Sequence, residues 1–225
     1  MCPYQAVEHS ETGIQANSTT LPGDLAMPPQ TRKLVVFAHG SGSSRKSPRN
    51  RFVAERLNDL GLATLLFDLL TPDENAIDEQ TRELRFNIPL LAERMTGAVD
   101  WLAQYYPTEE LAYGLFGAST GAAAALMTAA ERPTLIQAVV SRGGRPDMAS
   151  DALPKVQAPT LLIVGGEDTP VIETNRDAAD RMQCEHTVKI VPGATHLFEE
   201  PGKLEHCVRL AARWFREHLA EGRRL

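Results

Sequence analysis

Residues 111–130 read LAYGLFGASTGAAAALMTAA, and three local rules meet in that stretch. Leu111 to Phe116 is a short apolar run rich in large side chains, the composition of a buried strand. Ala122 to Ala130 consists almost wholly of Ala, Leu and Met, the strongest helix formers. Between them Gly117-Ala118-Ser119-Thr120-Gly121 fits the pattern G-x-S-x-G, a strand-to-helix turn so tight that its flanking positions must be small. The reading is strand, sharp turn, buried helix, with the Ser119 hydroxyl raised at a helix N-terminus, where free N–H groups favour negative charge. The alternative is a Gly-rich helix start that merely packs closely on a sheet.

The pattern repeats on both sides of this unit. Leu34 to Ala38 is a β-branched and aromatic run ending at His39-Gly40, followed by a loop, Ser41 to Ser47, and a helical spacing of Phe52, Val53, Leu57 and Leu60 beyond Pro48. Ala63 to Phe67 is another apolar run ending at Asp68; a polar stretch, Thr71 to Glu83, leads to a helix predicted from Ile88 to Tyr105. Ile136 to Val140 ends at Ser141-Arg142-Gly143-Gly144, Pro159 to Val164 ends at Gly165-Gly166-Glu167-Asp168, and Val188 to Val191 precedes Pro192-Gly193-Ala194-Thr195-His196. A last helix is expected over about Leu204 to Leu219. Strands that are continuously apolar and separated by helices form a parallel sheet covered on both faces. Ligands bind such sheets at the carboxyl ends of the strands, and His39, Asp68, Ser119, Arg142, Asp168 and His196 all stand at or just beyond those ends. Tyr4 to Met27 alternates weakly, broken by Gly13 and Pro22-Gly23, and reads as a strand hairpin at a sheet edge.

At 225 residues and 43% hydrophobic composition, the chain can bury one large core, and no linker or repeat divides it, so a single α/β domain over 1–225 is expected, with 1–30 as an edge-strand region. The formal net charge of −6, from 23 Lys and Arg against 29 Asp and Glu, with the basic residues scattered, argues against a nucleic-acid partner. Cys2, Cys184 and Cys207 have no metal-ligand or disulfide spacing. No metal ion and no cofactor is expected. Met1 to Pro29 lacks the charged start and apolar run of a secretory leader, and no segment approaches about 18 uninterrupted apolar residues. A soluble, cytoplasmic protein without membrane partners is the expectation, and a homodimer is compatible with it.

A serine hydroxyl is a poor nucleophile at neutral pH and needs a base, oriented in turn by a third group. Both are available downstream: Asp168 in the Gly-Gly-Glu-Asp turn and His196 in the Pro-Gly-Ala-Thr-His turn, in the chain order Ser, Asp, His. Asp168 could instead cap a helix, and Glu167 is its rival. Of the other histidines, His9 lies in the weakly patterned N-terminus, and His186 and His206 do not directly follow a strand. An oxyanion hole requires two backbone N–H groups. We assign these to Thr120, after the serine, and Ser41, in the Gly- and Ser-rich loop 39–44; the alternatives for that loop are an exposed turn or a phosphate cradle, although it lacks the G-x-x-x-x-G-K-[ST] of a P-loop.

Taken together, Phe-Ala-His39-Gly40, the turn at Ser119, the strand and G-x-x-D-x-x-V over Pro159 to Val171, and Gly193 to His196 resemble the α/β-hydrolase superfamily, within it the dienelactone-hydrolase-like branch. The resemblance runs from about Lys33 to the C-terminus. It implies an eight-stranded, mostly parallel sheet with one antiparallel strand near the N-terminus, and a serine hydrolase cleaving small soluble esters. Dienelactone hydrolases proper carry a cysteine where this chain has Ser119. The roughly twenty residues between Asp68 and Ile88 are too few for a large helical cap. His39, Gly40, Arg142 and Arg145 are candidate substrate contacts, the arginines for a carboxylate held bidentately, with ion pairs to Asp147 or Asp151 as the alternative. Arg45, Arg49 and Arg51 are further candidates. Ser119, Asp168 and His196 would also serve an acyltransferase, thioesterase, peptidase or amidase, and a small-acid-binding protein without catalysis could use the same fold.

Overall fold

The computed structural model describes residues 6–106 and 111–220, so Cys2 and the start of the predicted N-terminal hairpin at Tyr4 lie outside the described residues. In chain order the elements are β1 (Glu8–Ala16), β2 (Thr19–Met27), β3 (Lys33–Ala38), α1 (Pro48–Asp59), β4 (Ala63–Phe67), α2 (Pro72–Thr81), α3 (Ile88–Tyr105), β5 (Ala112–Ala118), α4 (Thr120–Glu131), β6 (Ile136–Arg142), β7 (Thr160–Gly165), α5 (Thr169–Ala179), β8 (His186–Val191) and α6 (Lys203–His218). The strands form one eight-stranded sheet in the order β1-β2-β4-β3-β5-β6-β7-β8. Only β2 runs against its neighbours: it pairs antiparallel with both β1 and β4, whereas β4, β3, β5, β6, β7 and β8 pair in parallel.

The central strands β3 to β7 are largely apolar because they are buried on both sides, whereas the edge strands β1 and β8 are mostly exposed or half-buried and carry polar residues. Within β3, Leu34, Val36 and Ala38 join one cluster and Val35 and Phe37 the other; within β5, Tyr113 and Leu115 divide from Ala112 and Phe116 in the same way. Met95, Val99 and Leu102 of α3, Ala123 to Leu126 of α4 and Ala178 of α5 cover the first face. Val53 and Leu57 of α1 and Ala211 and Phe215 of α6 cover the second. Across that second face Phe37 and Phe116 stack with ring centroids 4.8 Å apart, a contact worth about 1 kcal/mol beyond the area it buries.

One helix was not anticipated, and a second was offered only as the alternative role for Asp168. The polar stretch Thr71 to Glu83 holds α2, whose surface offers no apolar stripe; it is held instead by a capping box, with the Thr71 hydroxyl accepting from Glu74 N–H and the Glu74 carboxylate accepting from Thr71 N–H. The other is α5, which begins directly after Asp168. With ten residues, α2 is no large cap.

The chain leaves β3 toward β4 on one side and later returns to place β5 on the other, so the sheet order reverses between β3 and β5, the place where an open α/β sheet forms its crevice. Ala38 pairs with Gly117 at the end of that ladder, which sets the loop after β3 beside the turn after β5. No helix among the described residues is long and apolar enough to cross a membrane.

Candidate active site

Ser119 sits between β5 and α4 with φ 52° and ψ −122°, a conformation that costs a residue bearing a Cβ of the order of 1–3 kcal/mol. Neighbouring backbone holds it there. Its N–H donates to the Arg142 carbonyl at 3.2 Å, and its carbonyl accepts from Ala122 N–H and Arg145 N–H, each at 3.1 Å. The flanking glycines are demanded by close backbone: a Cβ on Gly117 would lie 2.3 Å from Ala122 Cα, and one on Gly121 would lie 2.4 Å from the Ala38 carbonyl oxygen. The G-x-S-x-G spacing is therefore a packing requirement as well as a turn signal.

The loop after β3 passes directly over this turn, since a Cβ on Gly40 would stand 3.1 Å from Ser119 Cβ and 3.8 Å from its Oγ. Thr120 is the first residue of α4, where N–H groups have no partner within the helix. Among the described residues, neither Thr120 N–H nor Ser41 N–H is taken up by a backbone hydrogen bond of a turn or loop. Ser41 and Gly40 line the same cleft as Ser119 and His196, of about 210 Å³. A larger hollow of about 660 Å³ lies near the opposite ends of the strands, lined by Lys33 and Leu62, and contains none of these residues.

His196 Nδ1 lies 2.6 Å from Asp168 Oδ2, joining the turns after β7 and β8. Asp168 occupies the cap position of α5 but its side chain makes no capping bond, so the carboxylate is given to His196 and the capping alternative falls. Glu167 beside it is exposed. Ser119 and His196 face one cleft without a direct hydrogen bond among the described residues; such contacts often tighten only once substrate is bound.

Two of the predicted substrate contacts are otherwise engaged. The buried His39 uses both ring nitrogens on backbone, Nδ1 donating to the Gly40 carbonyl at 2.9 Å and Nε2 accepting from Leu69 N–H at 3.1 Å. Burial holds its pKa below the ordinary value, so it is the neutral pin that ties the loop after β3 to the segment after β4. Arg145 forms a two-pronged pair with Asp147, at 2.8 and 2.7 Å, the alternative weighed for it. Arg45 likewise pairs with Asp68 and Asp24. Arg51 lines a separate groove beside β1, β2 and α1. Arg142 does line the cleft, joined by Arg49 and by three residues not anticipated, Ser43, Ser47 and Asn50. Asn50 carried a signal: it is a polar residue three positions before Val53 and seven before Leu57, on the buried stripe of α1.

The sequence profile described as the dienelactone hydrolase family matches residues 21–217. The crystal structure of a dienelactone hydrolase from Anabaena variabilis is 54% identical and superposes with a TM-score of 0.94, covering 96% of this chain and 100% of that one. An α/β serine hydrolase without a lid, from Xanthomonas campestris, shares the fold at 19% identity and a TM-score of 0.75, covering 96% of this chain and 97% of that one. A Mycobacterium tuberculosis protein that bears a provisional name as a phosphoribosyl transferase is 53% identical over 209 residues, 93% of this chain. The chain spans 46% of that relative's length.

Proposed function

Because the chain belongs to the dienelactone hydrolase family and is an α/β hydrolase, we propose that it cleaves small carboxylic esters through an acyl-enzyme on Ser119, with His196 as base and Asp168 as its orienting partner. The observation that carries this reading is the 2.6 Å contact between His196 Nδ1 and Asp168 Oδ2 at the rim of the cleft that also holds Ser119.

With Nδ1–H committed to Asp168, Nε2 is the nitrogen left to take the Ser119 proton. The serine oxygen attacks the ester carbonyl as the proton moves to His196. The tetrahedral oxyanion is received by the N–H groups of Ser41 and Thr120, each worth about 3 kcal/mol by its loss. Collapse breaks the ester C–O bond, and His196 returns the proton to the departing alcohol. A water molecule then attacks the acyl-enzyme, giving its proton to His196, and the second collapse frees the acid and restores the serine.

Phosphoribosyl transfer is not carried over from the M. tuberculosis relative, since the residues matched here are those of the hydrolase family. Turnover of p-nitrophenyl acetate tests the proposal: the wild-type chain releases p-nitrophenolate and Ser119→Ala does not. Equal release by both would overturn it.

A further inference from the structure

The cleft carries more positive charge than a neutral ester requires. Arg142, the last residue of β6, is 7% exposed and lines the cleft. Among the described residues its side chain makes one hydrogen bond, from Nη2 to Asn50 Oδ1 at 3.3 Å, while Nε and Nη1 are buried without partners. A guanidinium keeps its proton and offers five donors, so leaving it short of partners out of water is costly; Nε and Nη1 are shut off from the cleft, and a ligand reaches them only if the side chain shifts. Arg49, the second residue of α1, lines the same cleft; its Nη1 pairs with Glu199 at 2.7 Å and its Nε is buried and unpartnered. Among the described residues, the carboxylate paired with these arginines is Glu199, 61% exposed. Cys207 lies near Arg142 but supplies no counter-charge: burial pushes its thiol up to about 12 despite the arginine. The N-terminus of α1 completes the wall, with the hydroxyls of Ser43 and Ser47 beside it.

We propose that Arg142, Arg49, Ser43, Ser47 and the N-terminus of α1 form a subsite for a phosphate group. Ser47 caps α1 by accepting from Asn50 N–H, and Pro48 at its first position has no N–H; the two guanidiniums and the Ser43 and Ser47 hydroxyls, beside the positive end of that helix, are the donors that suit three terminal oxygens bearing a charge near −2. That this phosphate is carried by the ester presented to Ser119 rests on the hydrolase reading; the subsite itself does not.

Thermal unfolding in inorganic phosphate, at constant ionic strength, tests the subsite without any turnover. At phosphate ten times its dissociation constant, the wild-type midpoint rises by roughly 3–6 °C, and acetate gives no comparable rise. The rise is lost in Arg142→Met and reduced in Arg49→Gln, and it is kept in Arg213→Gln, which removes an exposed arginine paired with Glu217 on α6. No rise in the wild type, an equal rise with acetate, or a rise that survives both cleft substitutions overturns the proposal. Phosphate also raises KM for p-nitrophenyl acetate without lowering kcat. Phosphate binding in a chain that turns over no ester leaves the subsite standing and removes the hydrolase reading; turnover without phosphate binding or competition does the reverse.

Discussion

The backbone N–H of Ser119 donates to the carbonyl of Arg142, so the turn that presents the serine is fastened to the strand end that presents the buried arginine. Arg145 N–H closes the same loop onto the Ser119 carbonyl. A positive φ at a residue with a Cβ persists only when its surroundings over-determine it, and here the fastening comes from β6 on one side and the first turn of α4 on the other.

Gly117→Ala and Gly121→Ala are therefore expected to destabilise the fold, since each new methyl meets backbone atoms that cannot swing aside. A loss of about 2–4 kcal/mol in urea unfolding is predicted for each. A loss below about 0.5 kcal/mol in either would mean that the turn relaxes freely, contrary to this packing.

Asp168→Asn removes the carboxylate that fixes the His196 tautomer, and kcat on a p-nitrophenyl ester should fall by about 10⁴. Glu167→Gln, at an exposed neighbour without that contact, should leave kcat within about twofold. Steady-state kinetics on the two variants separates them, and a larger loss from Glu167→Gln would reverse the assignment.

The choice of Asp168 over Glu167 leans on the family resemblance, because which of two adjacent acids turns inward depends on the geometry after β7. Arg142 and Arg145 posed the same difficulty: three residues apart, at the end of β6 and in the loop after it, one lines the cleft and the other meets Asp147. The sheet was far more legible. Continuous apolar runs located Ala63–Phe67, and helical spacing located the helix observed over Ile88–Tyr105. By contrast α2 escaped because periodicity searches for an apolar face, whereas its signal was a terminal one, Thr71-Pro72 with Glu74 three residues after the cap. His39 was read as a substrate contact from its place at a strand end, and only the positions of Gly40 and Leu69 reveal it as a pin.

His39 gives the fold a pH dependence of definite sign. Its pKa in the folded chain is lowered by burial, so the unfolded chain takes up a proton near the ordinary value of 6.5 that the folded chain refuses. This group adds no penalty above that pH; as pH falls below it, stability drops by up to about 1.4 kcal/mol per unit. Urea unfolding of wild type and His39→Gln between pH 7 and about 5 should show the steeper decline in the wild type. Parallel curves would mean that His39 protonates without loss of its two backbone contacts.

The most direct test of the central claim is peptide-level mass spectrometry after treatment with a fluorophosphonate. The account predicts one phosphonylated residue, Ser119, with labelling abolished in Ser119→Ala and strongly slowed in Asp168→Asn. A folded wild-type protein that stays unlabelled, or that carries the adduct on another serine, would contradict it.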